Sequence, residues 1–183
     1  FSDGANLIFS YAAIVWTIAM IVFPKKYDPP LVEFSMLPLA LFSFKLGKLI
    51  YIYRTRMNTP VLQIIGAAVA GLALSYTISV AVLKGMFTSN EPFFRTPKMT
   101  GKNPLLKSLL FVKQELVMLL VMSTLGFILW LMNYEQVMTL DLQLWFIVLG
   151  VQCIPYAAAV FVALLSAAQT ESPPMPAQLV DNV

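Results

Sequence analysis

The sequence FFRTPK at positions 93–98 stands at the centre of the longest polar segment of the chain, 84–107. Long apolar runs precede and follow this segment. A helix needs about 20 predominantly apolar residues to cross the hydrocarbon core of a bilayer, and these runs reach that length. The polar segment therefore separates two groups of predicted membrane helices, one within 1–83 and the other within 109–168.

Composition agrees with a membrane protein. Of 183 residues, 59% are hydrophobic and 11% are charged, and the mean hydropathy is +0.79. Soluble domains carry roughly 25% charged residues. The chain opens on Phe1 without a basic stretch or a small-residue cleavage site, which is unlike a signal peptide. We therefore expect an all-α integral membrane protein and interpret the chain as a fragment of a longer one.

The apolar runs predict two spanning helices at 5–23 and 31–53, and two more within 109–168, at 109–132 and 142–168. The remaining run, 61–83, is ambiguous because it is rich in small residues and carries several polar ones. It is either a fifth spanning helix in the bundle or a helix lying at the membrane surface. The tail, 169–183, is polar and rich in proline.

Basic residues indicate the orientation. The segment 84–113 carries six of them against Glu91, with Glu115 two residues beyond it, which is typical of a cytoplasmic loop. The loop 84–108 and the C-terminus are then cytoplasmic. In the first half the basic residues give a tie, because either placement of the 61–83 run leaves two of them on the wrong side.

The sequence excludes several chemistries. It contains no histidine and a single cysteine, Cys153, so histidine-based catalysis and most zinc sites are ruled out. The nine acidic residues are scattered, without the closely spaced aspartates that would hold a divalent metal on a nucleotide. We therefore predict no metal site and no catalytic residue in this chain, and basic residues too few for nucleic-acid binding.

The central segment combines two phenylalanines with cations and a hydroxyl. Phe93, Phe94, Arg95, Thr96 and Lys98 lie between Pro92 and Pro97, which restrict the backbone. Such a set can place cations on the oxygens of a diphosphate and an aromatic ring on a base or sugar. The alternative is a basic loop that contacts anionic lipid headgroups.

A few polar residues lie inside the apolar runs. Lys45 falls about two turns from the end of the second run, where it either snorkels to the interface or faces a polar cavity beside Phe42 or Phe44. Gln152, Pro155 and Tyr156 mark either a kink facing a polar pore or ordinary contacts between helices. Glu115 is expected at the headgroup level, paired locally near Lys113.

The loop and its flanking helices resemble a known enzyme family. The sequence FFRTPK at 93–98 is similar to the F-x-V-T-x-K gating-loop motif of processive family-2 glycosyltransferases, the cellulose synthase-like enzymes. The run VLKGMF at 82–87, the turn at 24–30 and FSFKL at 42–46 resemble a bacterial subgroup of that family. The similarity covers roughly 1–156. Arg95 stands where the family has valine.

This resemblance implies a function and a topology. It implies the C-terminal membrane and gating region of a polysaccharide synthase in a bacterial inner membrane, with membrane lipid, a nucleotide-sugar and a glycan as its partners. The 61–83 run would lie at the cytoplasmic surface. Phe93, Thr96 and Lys98 would close over the nucleotide diphosphate. Mg²⁺ or Mn²⁺ would be held by a catalytic domain that this sequence does not contain.

The same resemblance implies a glycan channel lined by aromatic side chains. Its candidate residues are Trp16, Phe42, Phe44, Lys45 and Tyr156. The alternative function is a non-enzymatic membrane accessory or carrier protein with a basic cytoplasmic loop. The sequence leaves the donor sugar, the linkage and the oligomeric state open.

Overall fold

A computed structural model of the chain describes residues 2–57, 60–88, 104–133 and 139–170. Within these ranges the chain folds into seven helices. They are α1 (Ser2–Val22), α2 (Val32–Arg56), α3 (Val61–Ala73), α4 (Ser75–Phe87), α5 (Pro104–Phe111), α6 (Lys113–Met132) and α7 (Leu140–Thr170).

The structure confirms the all-α membrane fold class. Four of the helices in the described ranges, α1, α2, α6 and α7, are long and apolar enough to cross a membrane. Together α3 and α4 pass the same test as a pair bent by 42°, which makes five spans if the pair crosses as one. The predicted count of four spanning helices plus one interfacial or fifth helix agrees with this finding.

The run 61–83 is broken at Leu74, which the sequence pattern does not predict. Gly71 and Ser75 flank the break, and the Ser75 hydroxyl donates a hydrogen bond to the Gly71 carbonyl at 3.3 Å. A serine that bonds back to the carbonyl four residues earlier tends to bend a helix, and Gly–Ser pairs are common at kinks. The bend is therefore a property of local side-chain bonding, since no proline lies in this run.

The polar segment is shorter in the structure than in the prediction. Helix α4 continues to Phe87, and α5 begins at Pro104, so both ends of the predicted loop 84–108 are helical. Proline suits the first turn of a helix because the missing N–H would have no partner there. The predicted helix 109–132 is divided, because α5 ends at Phe111 and α6 begins at Lys113.

A cluster of buried apolar side chains joins α6 and α7 to α1. Met122, Val148 and Tyr156 are each at most 2% exposed, and Ala13 contributes a small side chain from α1. A Cβ added at Gly126 of α6 would lie 3.8 Å from Leu149 Cδ1 of α7. Small residues at such positions let helices approach closely in membranes, where apolar burial alone does not drive association.

The two ends of the bundle differ in charge. At one end α1 and α6 finish and α7 starts, and Met20, Leu129 and Leu142 line a common cavity there. The other end, which we call the basic end, holds the start of α1, the C-terminal half of α2 and the start of α6. Exposed basic residues concentrate at the basic end. They include Lys48, Arg54, Arg56, Lys107 and Lys113.

Candidate functional site

The residues of the predicted gating loop lie outside the described ranges. These residues are Phe93, Phe94, Arg95, Thr96 and Lys98. The structure therefore bears on the predicted channel residues, four of which it places at or beside the interior of the bundle and one on its outside.

Trp16 lines an open groove of about 530 Å³ between α1, α2 and α7. Its indole Nε1 donates a hydrogen bond to the Asp28 carbonyl at 3.3 Å. Its ring meets the Tyr27 ring edge-on, with the centroids 6.1 Å apart. The turn between α1 and α2 therefore fixes the indole at the mouth of the groove.

Trp145 forms the facing wall of this groove. It is 6% exposed, and its indole Nε1 donates a hydrogen bond to Thr17 Oγ1 at 3.1 Å. Thr17 in turn donates to the Ala13 carbonyl at 2.7 Å. Two tryptophans thus line one groove, each with its orientation set by a hydrogen bond. The structure thus places Trp145 inside the bundle.

Gln152 lies deeper in the groove, two turns of α7 from Trp145. It is 3% exposed, and its Oε1 is buried without a hydrogen-bond partner in the described part of the chain. A buried amide oxygen that lacks a donor costs about 1–3 kcal/mol. Because this oxygen belongs to a residue that lines the groove, a water or a ligand hydroxyl there can supply the missing donor.

Lys45 and Phe42 lie nearer the basic end than Gln152 does. With Asn6, Ser75 and Pro155 they line a space of about 20 Å³, which has room for one water molecule. The Lys45 ammonium donates a hydrogen bond to the Ser75 hydroxyl, which is buried. Of the two readings that the sequence allows for Lys45, the structure shows the one in which it faces inward.

Tyr156 is buried beside the space at Lys45, and its ring meets the ring of Tyr76 edge-on with centroids 5.9 Å apart. Its side chain shares a hydrogen bond with Ser10 of α1, and Tyr76 shares one with Tyr11. Tyr76 and Tyr156, together with Asn6 and Ser79, border a second small space of about 10 Å³. A hydroxyl-rich cluster therefore lies inside the bundle near the basic end.

Phe44 stands apart from the other channel candidates. It is 70% exposed and lines none of the cavities found in the described ranges. Residues 42 and 45 face inward on α2, and residue 44 lies about 160° around the helix from Phe42, so its side chain points away. The structure gives it the position of a lipid-facing residue.

Glu115 was expected at the headgroup level, paired locally near Lys113, and the structure shows its carboxylate buried and bonded to α4. The carboxylate is 6% exposed, and Thr77 Oγ1 of α4 donates a hydrogen bond to Glu115 Oε1 at 3.3 Å. Residues two apart on a helix point in different directions, so Lys113 and Glu115 do not face each other. The position of Glu115 as the third residue of α6 gives no sequence signal for this contact with α4.

The residues of three helices that line the two spaces fall on single faces. On α1 they are Asn6, Phe9, Ala12, Ala13 and Trp16; on α2 they are Phe34, Pro38, Leu41, Phe42 and Lys45; on α7 they are Trp145, Val148, Gln152 and Pro155. A spacing of three or four residues keeps side chains on one side of a helix. We call these three facing surfaces the seam. It runs from the water-sized space at Lys45 to the open groove at Trp16.

The described residues contain no group of three or more histidine, cysteine, aspartate or glutamate side chains that could hold a metal ion. No family model, no curated protein and no solved structure matches the chain.

Proposed function

We propose that this chain is the membrane and gating-loop portion of a polysaccharide synthase, and that a growing glycan leaves along the seam. The enzyme would transfer sugars from a nucleotide-sugar donor to the glycan. The observation that carries the proposal is the seam itself, with two oriented tryptophans, a buried amide oxygen without a donor and an inward lysine on three membrane-spanning helices.

The lining suits a sugar chain for physical reasons. Sugar rings have apolar faces and a rim of hydroxyls, so they bind where aromatic surface and a few fixed hydrogen-bonding groups occur together. Trp16 and Trp145 provide the aromatic surface, and Gln152 Oε1 provides an acceptor for a hydroxyl. The space at Lys45 has room for a single water, so α2 and α3 would have to separate for a sugar to pass.

The distribution of basic residues supports a cytoplasmic location for the basic end of the bundle. Exposed cations concentrate there, whereas the opposite end holds Lys25 and Lys26 together with Asp28, Glu33 and Asp141. Membrane proteins keep their lysines and arginines on the cytoplasmic side. In the proposed arrangement the loop 84–108 meets the donor in the cytoplasm of a bacterial cell, and the glycan emerges at the groove end.

The loop carries the second part of the proposal. Phe93, Thr96 and Lys98 would close over the nucleotide diphosphate, and Phe94 and Arg95 would add an aromatic face and a further cation. The carboxylates that hold Mg²⁺ or Mn²⁺ on the donor would belong to a separate catalytic domain. This part of the proposal is derived from the sequence.

The test is nucleotide-sugar turnover by the full-length gene product in membranes, with Phe93→Ala and Lys98→Ala compared to the wild type. Each change should lower turnover at least tenfold, because each removes a contact to the donor. Lys102→Ala is the matched control, since it removes a cation from the same loop outside the motif, and it should keep turnover within twofold.

Wild-type turnover by both motif variants would contradict the gating role. In that case the loop is a basic membrane anchor, and the chain fits an accessory or carrier protein. Membrane content of each variant is compared on a gel so that loss of protein is separated from loss of activity.

A further inference from the structure

We infer that the open groove between α1, α2 and α7 binds one membrane phospholipid with a zwitterionic headgroup. One acyl chain lies in the groove, and the phosphate and ammonium of the headgroup meet the turn between α1 and α2. The inference goes beyond the proposed function, because it names a second partner of the groove that fills it while no glycan is present. Its structural basis is an apolar groove with one cation and one anion at its mouth.

The lining of the groove suits a hydrocarbon chain. Aromatic and aliphatic side chains form most of its wall, among them Phe9, Ala12, Phe34 and Val148. Gln152 also borders the groove, but at 3% exposed it presents little polar surface. An apolar wall without a neighbour loses its van der Waals contacts. An alkyl chain in the groove restores these contacts.

The groove is deep enough for an acyl chain. Phe9 lies 13 residues before the end of α1 at Val22, which is about 20 Å along the helix axis. The hydrocarbon core of a bilayer is about 30 Å thick, and each leaflet fills about half of it. A chain from one leaflet can therefore lie along the groove over most of its length.

A chain can enter the groove from the side. Phe34 and Trp16 line the groove and are 70% and 42% exposed, and Ala12 is also exposed. They lie on α1 and α2, which are long and apolar enough to cross a membrane. The exposed surface of such helices meets lipid, so the groove is open to the bilayer.

The mouth of the groove lies at the level of lipid headgroups. Helix α1 ends at Val22 and α2 begins at Val32, so Lys26 and Asp28 lie between the ends of two spanning helices. The rings of Trp16 and Tyr27 lie beside them. Tryptophan and tyrosine are enriched where the hydrocarbon meets the headgroups.

Both charges at the mouth can meet a headgroup. The Lys26 ammonium lies 5.7 Å from the centroid of the Tyr27 ring. Trp16 bonds to the backbone carbonyl of Asp28, which leaves the Asp28 carboxylate for another partner. In the described part of the chain no ion pair joins Lys26 to Asp28. The two charges therefore do not cancel through direct contact.

Opposite charges at one mouth match a headgroup that carries both signs. The headgroup of phosphatidylethanolamine can place its phosphate on Lys26 and its ammonium on Asp28, and hydrogen bonds between ionised groups are the strong ones. The headgroup of phosphatidylglycerol has the same phosphate and no cation. It would meet Lys26 alone and be repelled by Asp28. The groove should therefore prefer the zwitterionic lipid.

The experiment measures quenching of Trp145 fluorescence by phospholipids with brominated acyl chains, added to the purified full chain in a non-ionic detergent. Trp16→Phe and Trp130→Phe leave Trp145 as the one tryptophan of three. Trp145 lines the groove and is 6% exposed, so bromine approaches it through the groove. Phosphatidylethanolamine should reach half-maximal quenching at about threefold lower mole fraction than phosphatidylglycerol, because exposed ion pairs contribute modestly.

Three variants test the headgroup contacts. Asp28→Asn should remove the preference for phosphatidylethanolamine, because it removes the partner of the ammonium. Lys26→Gln should raise the half-quenching fraction of both lipids by about threefold, since both lose the partner of the phosphate. Lys25→Gln is the matched control, since Lys25 is adjacent in the turn but does not line the groove, and it should leave both values unchanged.

A second pair of variants tests the position of the acyl chain. Ala12→Phe narrows the groove and should reduce the maximal quenching of Trp145 by at least half. Val15→Phe is the matched control, because Val15 is 66% exposed on the same helix and does not line the groove. It should be quenched as the parent protein is.

Equal or stronger quenching by phosphatidylglycerol, or a preference that Asp28→Asn leaves unchanged, would overturn the inference. Unchanged quenching in a folded Ala12→Phe protein would also overturn it, because the chain would then reach Trp145 by another route. The assay contains no nucleotide-sugar, so these results leave the turnover test of the proposed function standing. Wild-type turnover by the loop variants would refute the proposed function without bearing on the lipid.

Discussion

The hydrogen bond from Trp145 to Thr17 should hold one wall of the groove, and a double-mutant cycle can measure its contribution to stability. Thr17→Val removes the acceptor and keeps the shape of the side chain. Both partners are buried, with Thr17 0% and Trp145 6% exposed, and Nε1 and Oγ1 are 3.1 Å apart. The indole N–H therefore loses its partner in a place where water does not easily replace it.

The magnitude follows from two estimates. Leaving a buried donor unsatisfied costs about 1–3 kcal/mol in soluble proteins. Hydrogen bonds between membrane helices are weaker in double-mutant cycles, at about 0.6 kcal/mol on average and about 1.7 at most. We therefore expect Thr17→Val to reduce the free energy of unfolding by about 1 kcal/mol. The coupling energy between Thr17→Val and Trp145→Phe should be of similar size.

The assay is equilibrium unfolding of the purified protein with increasing SDS in mixed micelles, followed by circular dichroism. Thr17→Ser is the control, because it keeps the hydroxyl and should retain the coupling to Trp145. A coupling energy below about 0.3 kcal/mol, the scatter expected for independent sites, would show that the contact does not exist in the folded protein.

Two further predictions concern the interior of the bundle. Gly126→Ala should stabilise the protein by about 0.5–1 kcal/mol in the same assay, because alanine favours the helix. Its Cβ would lie 3.8 Å from Leu149 Cδ1, an ordinary contact distance. A loss of stability would mean that α6 and α7 approach more closely than described. Met122→Ala should lower the free energy of unfolding by about 2–5 kcal/mol, because Met122 is 1% exposed. Val117 lies on the same helix and is 57% exposed, so Val117→Ala should change that free energy by less than about 1 kcal/mol. Equal effects would contradict the described orientation of α6.

The spanning helices could be predicted because their signal is local. Each of the runs behind α1, α2, α6 and α7 is apolar over about the thickness of a bilayer, and this property does not depend on neighbouring helices. The boundaries were less accurate. Helix α2 continues to Arg56, and α7 reaches Thr170, because a helix can extend past the hydrocarbon into polar surroundings.

The partner of Lys45 and the position of Glu115 could not be predicted from the sequence because both depend on contacts between distant residues. Ser75 meets Lys45, which is 30 residues away, and Glu115 meets Thr77, which is 38 residues away. A polar residue in an apolar run signals an interior partner without identifying it. The channel candidates show the same limit, since Phe42 and Phe44 look alike in sequence and the helix turns one inward and the other outward.

Gln152 shows what the sequence contributes and what it omits. Its place in an apolar run marked it as a residue facing either a pore or another helix. The structure adds that its Oε1 is buried without a donor among the described residues and that it lines the groove beside Trp145. That combination depends on the three-dimensional arrangement of α1, α2 and α7.

The most direct test of the account is whether blocking the seam stops export of the glycan. Ala12 lines the groove and is exposed to it, so Ala12→Trp should fill the groove without disturbing the buried core. Val15 lies on the same helix, is 66% exposed and does not line the groove. Val15→Trp is therefore the matched control.

The measurement uses the full-length gene product in proteoliposomes, supplied with labelled nucleotide-sugar, and counts the polymer that reaches the opposite side of the membrane. The account predicts that Ala12→Trp lowers export at least tenfold, while Val15→Trp exports as the wild type does. Wild-type export by a folded Ala12→Trp protein would show that the glycan does not leave along the seam.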